Sequence, residues 1–286
     1  MTKVWVLGGN GLVGEALKKS AGEQLTFLAR AQFDLLKPPL HLPFAKGDII
    51  VDLVPPPFPR ESLNILPSDY HDQFTKPHCE FVARAMQSGI KKYLFFASGG
   101  TAYGNGRKGQ YFKETDPTAP ISTYGISKII VEDFLLSQGR AHPCSIVILR
   151  PSNIFNSDPI SPLQKGLIGI FKKRMAGDLP LQIFGDLSIA KDYVSSEDVA
   201  AAVMMAIVKD INGIFNLGSG KVYSIGDIIT AFEKSWGREA KREFLPQVSN
   251  DVISFGLDIS KIQNELEFSP KIDVINWIET NTNPQS

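Results

Sequence analysis

Cysteine and histidine are scarce in this sequence, which contains 2 cysteines and 4 histidines among 286 residues. Cys79 and Cys144 lie far apart along the chain, and the histidines show no metal-ligand spacing. A disulfide framework or a cysteine-based metal site is therefore not expected. We predict a protein without a bound metal ion.

An excess of charge of either sign is also lacking. The 30 lysines and arginines balance 30 aspartates and glutamates, and the pI is near 6.9. This balance predicts neither a nucleic-acid-binding surface nor a basic patch for a membrane. The N-terminus enters the apolar segment Lys3–Leu7 without the charged region and long apolar stretch of a secretory signal. We expect a cytoplasmic protein.

Short apolar segments alternate with amphipathic ones along most of the chain, which is 43% hydrophobic. The predicted strands are Val4–Leu7, Leu25–Leu28, Ile49–Val54, Tyr93–Ala97, Ser145–Leu149 and Ile214–Leu217, and the predicted helices are Leu12–Ser20, Cys79–Gln87, Tyr124–Ser137 and Glu197–Val208. This alternation is typical of an α/β protein with a Rossmann-type, doubly wound parallel sheet.

The alternation is interrupted in two places, which suggests an interleaved second unit. We predict a dinucleotide-binding domain over residues 1–153, completed by about 191–219. Residues 154–190 and 220–286 are predicted to form a smaller C-terminal subdomain that binds the substrate.

A glycine-rich turn, Gly8-Gly-Asn-Gly-Leu-Val-Gly14, lies between the first strand and the first helix. In that context the glycines allow a tight turn, close approach of the backbone to a pyrophosphate, and close helix packing. Gly8, Gly11, Leu12, Val13 and Gly14 are therefore the predicted phosphate-binding residues. Residues 104–109 also fit G-x-G-x-x-G, but no helix pattern follows them, so a loop is predicted there.

Arg30 follows the second strand, where an NAD-selective fold usually has an acidic residue for the adenosine ribose. An arginine can instead pair with a ribose 2′-phosphate, which favours NADP. The alternative is that Arg30 faces solvent while Asp34 or a backbone group binds the ribose of NAD.

Tyr124 and Lys128 lie four residues apart on one face of a predicted helix. A cation about 4 Å from a phenol, at an effective dielectric constant of about 20, contributes roughly 4 kcal/mol, or about three pKa units. The pair could also be a surface tyrosine beside a solvated lysine. None of the other six tyrosines has a lysine four residues later, and this pair lies between the glycine turn and Asn153.

Several motifs occur in an order that resembles the extended short-chain dehydrogenase/reductases acting on nucleotide sugars. They are Gly8-x-x-Gly11-x-x-Gly14, Ser98-Gly-Gly-Thr-Ala-Tyr-Gly104, Tyr124-Gly-Ile-Ser-Lys128, Arg150-Pro-Ser-Asn153, Lys191-Asp-Tyr-Val194, Asn216-Leu-Gly-Ser-Gly220 and Leu257-Asp-Ile-Ser-Lys261. The resemblance implies a nucleotide-sugar substrate, a nicotinamide cofactor and a homodimer.

The same resemblance implies roles for individual residues. Tyr124 would be the acid or base on a sugar hydroxyl, and Lys128 would bind the nicotinamide ribose and lower the pKa of the tyrosine. Thr101, or else Ser98, would bind the reacting oxygen. Gly99 stands where many relatives have that hydroxyl residue. Asn153 and Lys191 would contact the sugar or its diphosphate, with Lys191 replacing a more usual arginine.

Three functions remain open at this stage. The segment Leu28–Pro38 resembles sugar-nucleotide 4-keto reductases, whereas Ser98–Gly104 resembles the loop of UDP-hexose 4-epimerases. We favour the reductase because Arg30 bears on the choice of cofactor. A cofactor-binding regulator without catalysis is the third hypothesis, and the Tyr124 and Lys128 pair argues against it.

Overall fold

A computed structural model describes residues 2–58, 61 and 65–283. Its strands are β1 (Val4–Leu7), β2 (Thr26–Leu28), β3 (Ile49–Asp52), β4 (Lys92–Phe96), β5 (Tyr111–Phe112), β6 (Ser145–Pro151), β7 (Asn153–Phe155), β8 (Leu181–Phe184), β9 (Ala190–Ser195), β10 (Gly213–Leu217), β11 (Val222–Ser224), β12 (Arg242–Leu245) and β13 (Ser254–Leu257). Its helices are α1 (Leu12–Ala21), α2 (Pro67–Tyr70), α3 (Lys76–Gln87), α4 (Gly99–Tyr103), α5 (Thr123–Ala141), α6 (Gly166–Ala176), α7 (Ser196–Val208), α8 (Ile225–Trp236), α9 (Ser260–Leu266) and α10 (Val274–Asn281).

The main sheet is parallel and has six strands in the order β10-β6-β4-β3-β1-β2. Strand β2 lies on one side of β1, whereas β3 and the later strands β4, β6 and β10 follow one another on the other side. This reversal places a crevice between the carboxyl ends of β1 and β3, where doubly wound sheets bind their ligands. The predicted Rossmann-type fold is confirmed.

Both faces of this sheet are covered by helices, because successive side chains of a strand point to opposite faces. Val6, Val51 and Leu94 pack in the core that includes residues of α1 and α7. Ile50 and Phe95 belong to the core on the other face, where residues of α3 and α5 pack. Residues 29–48, which connect β2 to β3, contain no helix.

A second layer of structure lies beyond the main sheet. Strands β11, β9, β13 and β5 pair in that order, β7 also pairs with β9, and β8 pairs with β12. A third core joins residues of α6, α8 and α10, including Phe171, Phe232 and Trp277. The proposed boundaries of the substrate-binding subdomain remain a prediction.

Two predicted helices differ from the structure by three or more residues at one end. Helix α3 begins at Lys76, three residues before the predicted start, because a π-helical turn over His71–Thr75 leads directly into it. Helix α5 extends to Ala141, beyond the predicted end at Ser137. Across the ranges described above, we find no helix long and apolar enough to cross a bilayer.

Candidate active site

The glycine turn after β1 has the geometry that its sequence predicts. Gly8 has φ +77°, and a Cβ there would lie 3.0 Å from the backbone of Leu53 and Val54. A Cβ on Gly14 would lie 2.3 Å from the carbonyl oxygen of Gly9, inside any real contact distance. Both positions therefore require glycine, the first for its left-handed backbone and the second for close packing of α1 on the turn.

The start of α1 fits the pyrophosphate of a dinucleotide. Helix α1 has Gly11 at its N-cap, with no side chain capping its first turn. The amide N–H groups of Leu12, Val13 and Gly14 have no partner within the helix, because the first intrahelical bond runs from the Glu15 N–H to the Gly11 carbonyl. These N–H groups, at the positive end of the helix dipole, are suited to hold a phosphate.

Arg30 lies just beyond β2 with 80% of its side chain exposed, and its Nε is 3.4 Å from Asp34 Oδ2. The two residues proposed for alternative contacts with the adenosine ribose are therefore neighbours. Because Arg30 is so exposed, its ion pair with Asp34 adds little stability and leaves the guanidinium available to a ligand.

Helix α5 places Tyr124 beside α4. Ser122 caps α5 by accepting a hydrogen bond from the Gly125 N–H at 3.1 Å. A Cβ on Gly125 would lie 2.6 Å from the carbonyl oxygen of Thr101, so only glycine lets the two helices approach this closely. The Ser98–Tyr103 segment and the start of α5 are thereby brought together.

Tyr124 is buried, with 6% of its surface exposed. The ring of Phe58 stacks on it, with centroids 5.6 Å apart and planes 29° apart. Phe58 lies on the loop after β3, where Tyr70 donates a hydrogen bond to the Pro57 carbonyl at 2.7 Å. Burial raises the pKa of the Tyr124 phenol above its ordinary value, the opposite direction to the lowering expected from Lys128.

Lys128 is buried and its ammonium is directed at the main sheet. Nζ donates to the Phe96 carbonyl oxygen at 2.7 Å and lies 4.5 Å from the centroid of the Phe95 ring. Among the residues that the structure describes, no hydrogen bond joins Lys128 to the Tyr124 hydroxyl. Burial lowers the pKa of Lys128 to about 8, although the negative charges of Asp52 and Glu132 oppose this.

Of the two candidate hydroxyls in the Ser98–Tyr103 segment, that of Thr101 is the better suited to bind a ligand. Its Oγ1 is buried without a hydrogen-bond partner in the described chain. An orphaned buried hydroxyl is costly unless a bound ligand satisfies it. Ser98 is the N-cap residue of α4, but its side chain makes no capping hydrogen bond.

The glycine at position 99 has a steric cause. A Cβ at Gly99 would lie 2.8 Å from Cδ1 of Leu257 and 3.1 Å from the carbonyl oxygen of Pro151. Leu257, at the end of β13, is fully buried. A larger residue at position 99 would therefore require the Leu257 side chain to move and the end of β6 to shift slightly.

Phe58, the residue stacked on Tyr124, lines a cavity of about 650 Å³. Asn153, the first residue of β7, and Lys191 on β9 both line it, together with many apolar side chains. Lys191 Nζ is 3.0 Å from Asp251 Oδ1. The structure thus brings Asn153 and Lys191 to one cavity, whereas the other two predicted substrate-binding residues, Thr101 and Tyr124, do not line it.

The helix that bears Tyr124 and Lys128 is fixed to the sheet by a buried ion pair. Glu132 and Arg150 are 1% and 4% exposed, and Arg150 Nη2 is 2.6 Å from Glu132 Oε2. Arg150 Nη1 also donates to the Tyr103 hydroxyl at 2.9 Å, which links α4 to the same network.

Sequence reasoning missed two residues of this region. Phe58 gave no signal, because its contact with Tyr124 joins segments far apart in the chain. Asp52 did give one, since a carboxylate ends a strand whose other residues are apolar and buried on both faces. A charge in such a strand needs specific partners.

The chain is similar in sequence to enzymes that are named for nucleotide-sugar substrates. The chain is 27% identical to dTDP-4-dehydro-6-deoxyglucose reductase of Escherichia coli over 78% of its length and 70% of that protein. It is 31% identical to a putative UDP-glucose 4-epimerase of Methanocaldococcus jannaschii over 67% of its length and 64% of that protein.

The fold resembles that of UDP-glucose 4-epimerase from Thermotoga maritima, solved with UDP-glucose. The TM-score is 0.83 at 23% identity, with 98% of this chain and 97% of the other covered. The sequence profile of one family, described as the NAD dependent epimerase/dehydratase family, matches residues 4–218. The chain therefore belongs to the NAD dependent epimerase/dehydratase family.

Proposed function

We propose that this chain is an NAD-dependent 4-epimerase of a nucleotide-linked sugar. The observation that carries the proposal is that buried Tyr124 stacks on Phe58, which lines a cavity of about 650 Å³. Such a volume is within the range of small-molecule sites. The helix that bears Tyr124 packs closely on α4, where the Thr101 hydroxyl is buried without a partner among the described residues. The sequence pattern favoured the reductase, but similarity to a putative UDP-glucose 4-epimerase and to epimerase folds supports the epimerase more strongly.

The proposed chemistry needs a proton donor and acceptor beside the reacting carbon. A dinucleotide held by its pyrophosphate at Gly8, Gly11 and the start of α1 would supply a nicotinamide ring able to accept and return the hydride. Tyr124 takes the proton of the sugar hydroxyl during oxidation and returns it during reduction. Thr101 donates a hydrogen bond to the oxygen on which charge develops. Lys128 binds the ribose and adds the positive charge that an ionised Tyr124 requires.

The substrate is proposed to lie along the cavity from Phe58, beside Tyr124, toward Lys191. Asn153 would hydrogen-bond the sugar or diphosphate, and Lys191 would neutralise a phosphate oxygen as a point charge. Lys191 forms an ion pair with Asp251 in this structure. A bound phosphate would therefore either share the Lys191 ammonium with Asp251 or displace the Asp251 carboxylate from it.

A 4-keto reductase is the second candidate, and the electrostatics of Tyr124 favour it. Because burial raises the pKa of the phenol, Tyr124 is protonated at neutral pH and is ready to donate a proton to a newly formed alkoxide. That is the acid step of ketone reduction. In this reading NADP, bound through Arg30, is the cofactor.

Analysis of the cofactor carried by purified protein separates the candidates. The epimerase should release about one NAD⁺ per chain on denaturation and interconvert UDP-glucose and UDP-galactose without added cofactor. The reductase should arrive largely empty and oxidise NADPH in the presence of a 4-keto sugar nucleotide. Protein that binds cofactor but turns over neither substrate type would support a regulator.

Replacing Arg30 tests which cofactor the adenosine site selects. If Arg30 binds the 2′-phosphate, Arg30→Ala should weaken NADPH by about 1–2 kcal/mol, because a charged hydrogen bond is lost at an exposed site. Binding of NADH should change little, as measured by fluorescence titration of each cofactor. Asp34→Ala is the matched control, since it should affect NADH if Asp34 serves the ribose. Equal losses of NADPH and NADH in Arg30→Ala would remove Arg30 from this role.

We also propose that the chain forms a homodimer through α5. The outward face of this helix presents Ile126 and Ile130, one turn apart, which are 47% and 38% exposed. Neighbouring exposed isoleucines are candidates for burial in an interface. Sedimentation equilibrium should give twice the chain mass of 31.5 kDa.

A further inference from the structure

Asp52 is a fully buried carboxylate at the end of β3 with three hydrogen-bond partners. Oδ2 accepts from the Tyr93 hydroxyl at 2.7 Å and lies 2.6 Å from His78 Nε2. Oδ1 accepts from the Val54 N–H at 3.0 Å. Burial acts to raise the pKa of Asp52, but attraction by His78 and Lys128 and the hydrogen bonds bring it below its ordinary value. Asp52 is therefore charged inside the protein.

This carboxylate is connected to Lys128 through the backbone of one residue. Lys128 Nζ lies 3.5 Å from the Val54 carbonyl oxygen, while the N–H of Val54 is held by Asp52. The ring of Phe95 is edge-on to His78, which pairs with Asp52, and its centroid lies 4.5 Å from the Lys128 ammonium. By holding the Val54 N–H, Asp52 fixes the position of Val54, whose carbonyl is one of the two that Lys128 faces.

The negative charges of two carboxylates, Asp52 and Glu132, favour the protonated form of Lys128, and the two carboxylates have different partners. Glu132, on the same helix, accepts three hydrogen bonds from the guanidinium of Arg150. Its charge is already neutralised at close range. The direct partners of Asp52 are the His78 imidazole, the Tyr93 hydroxyl and the Val54 N–H. The titratable groups around Lys128 are Asp52, His78, Tyr93, Tyr124 and Glu132 with its partner Arg150.

We propose that Asp52 is a positioning residue that keeps Lys128 protonated and holds its ammonium at the carboxyl edge of the sheet. Asp52 does not contact the reacting atoms and acts through Lys128 and Val54. An effect of Asp52 on turnover rests on the proposed function, because it requires Lys128 to assist Tyr124. An effect of Asp52 on the charge of Lys128 is independent of the proposed function.

The test is a direct titration of Lys128 by NMR in protein labelled with ¹³C and ¹⁵N lysine, its signal assigned with Lys128→Met. Asp52→Asn keeps the size of the side chain and an oxygen for the Val54 N–H, but removes the charge. Loss of a nearby opposite charge should lower the midpoint of Lys128 by about one to two pH units. The alkaline limb of the pH–rate profile should move down by the same amount.

Three variants distinguish the charge from the packing. Asp52→Ser is a second neutral variant, used if Asp52→Asn does not fold, and should shift the midpoint equally. Asp52→Glu keeps the charge and should return the midpoint toward that of the wild type. Tyr93→Phe removes a hydrogen bond without removing charge and should leave the midpoint nearly unchanged.

The outcomes separate this inference from the proposed function. An unchanged Lys128 midpoint in a folded neutral variant would overturn the role of Asp52, whatever the enzyme does. Wild-type protein that shows no hydride transfer, yet shows the shifted midpoint in Asp52→Asn, would overturn the proposed function and leave the role of Asp52 intact.

Discussion

Tyr124→Phe should lower turnover by about 10²–10⁴-fold, because it removes the proton donor and acceptor while leaving the ring in place. The phenyl ring can keep its stacking on Phe58 and its place beside α4. We therefore expect unchanged thermal unfolding and unchanged cofactor binding. Steady-state kinetics with UDP-glucose, and with a 4-keto sugar nucleotide, measure the loss of turnover.

A tyrosine outside the site provides the matched control. Tyr111 on β5 is 42% exposed, so Tyr111→Phe makes the same chemical change without touching the cavity. It should retain full activity. If Tyr124→Phe turned over at the wild-type rate with the physiological substrate, Tyr124 could not be the acid or base, and the proposed mechanism would be wrong.

Arg150→Met should destabilise the fold by about 3–5 kcal/mol, because it leaves the buried Glu132 carboxylate without its cation. Burial raises the pKa of Glu132 even with Arg150 present, so in the variant this group should take up a proton. The expected fall in the midpoint of thermal unfolding is about 10 °C. Circular dichroism melts and urea titrations measure it.

Two further variants test whether the cost comes from the uncompensated charge. Glu132→Leu combined with Arg150→Met removes both ions and should recover most of the lost stability. Lys241→Met breaks the exposed pair with Asp178, whose side chains are 58% and 62% exposed, and should cost less than about 1 kcal/mol. A double variant no more stable than Arg150→Met would show that packing, rather than charge, sets the cost.

Much of the fold could be predicted because its signals are local. Apolar segments of four to six residues separated by helical patterns identified all six strands of the main sheet. The glycine turn was recognisable from its position between strand and helix. The spacing of Tyr124 and Lys128 identified one helix face, and both side chains are buried at its N-terminal end.

The remaining features depend on contacts between distant segments. Nothing in the sequence near Gly99 indicates that Leu257 packs against it. The stacking of Phe58 on Tyr124 and the pairing of Asp52 with His78 likewise arise only after folding. The direction of the pKa shift of Tyr124 could not be predicted either, because spacing on a helix does not reveal how completely the phenol is desolvated.

The packing of Leu257 against Gly99 also has a consequence for the order of assembly. Strand β13 pairs with β5 and β9, and its last residue, Leu257, packs against Gly99 at the start of α4. The surroundings of α4, which carries the proposed substrate-binding hydroxyl of Thr101, are therefore complete only once residue 257 can fold onto them, long after Tyr124 and the glycine turn have been synthesised. Contacts of such high sequence separation form slowly. We expect activity to be the last property that the folding chain acquires.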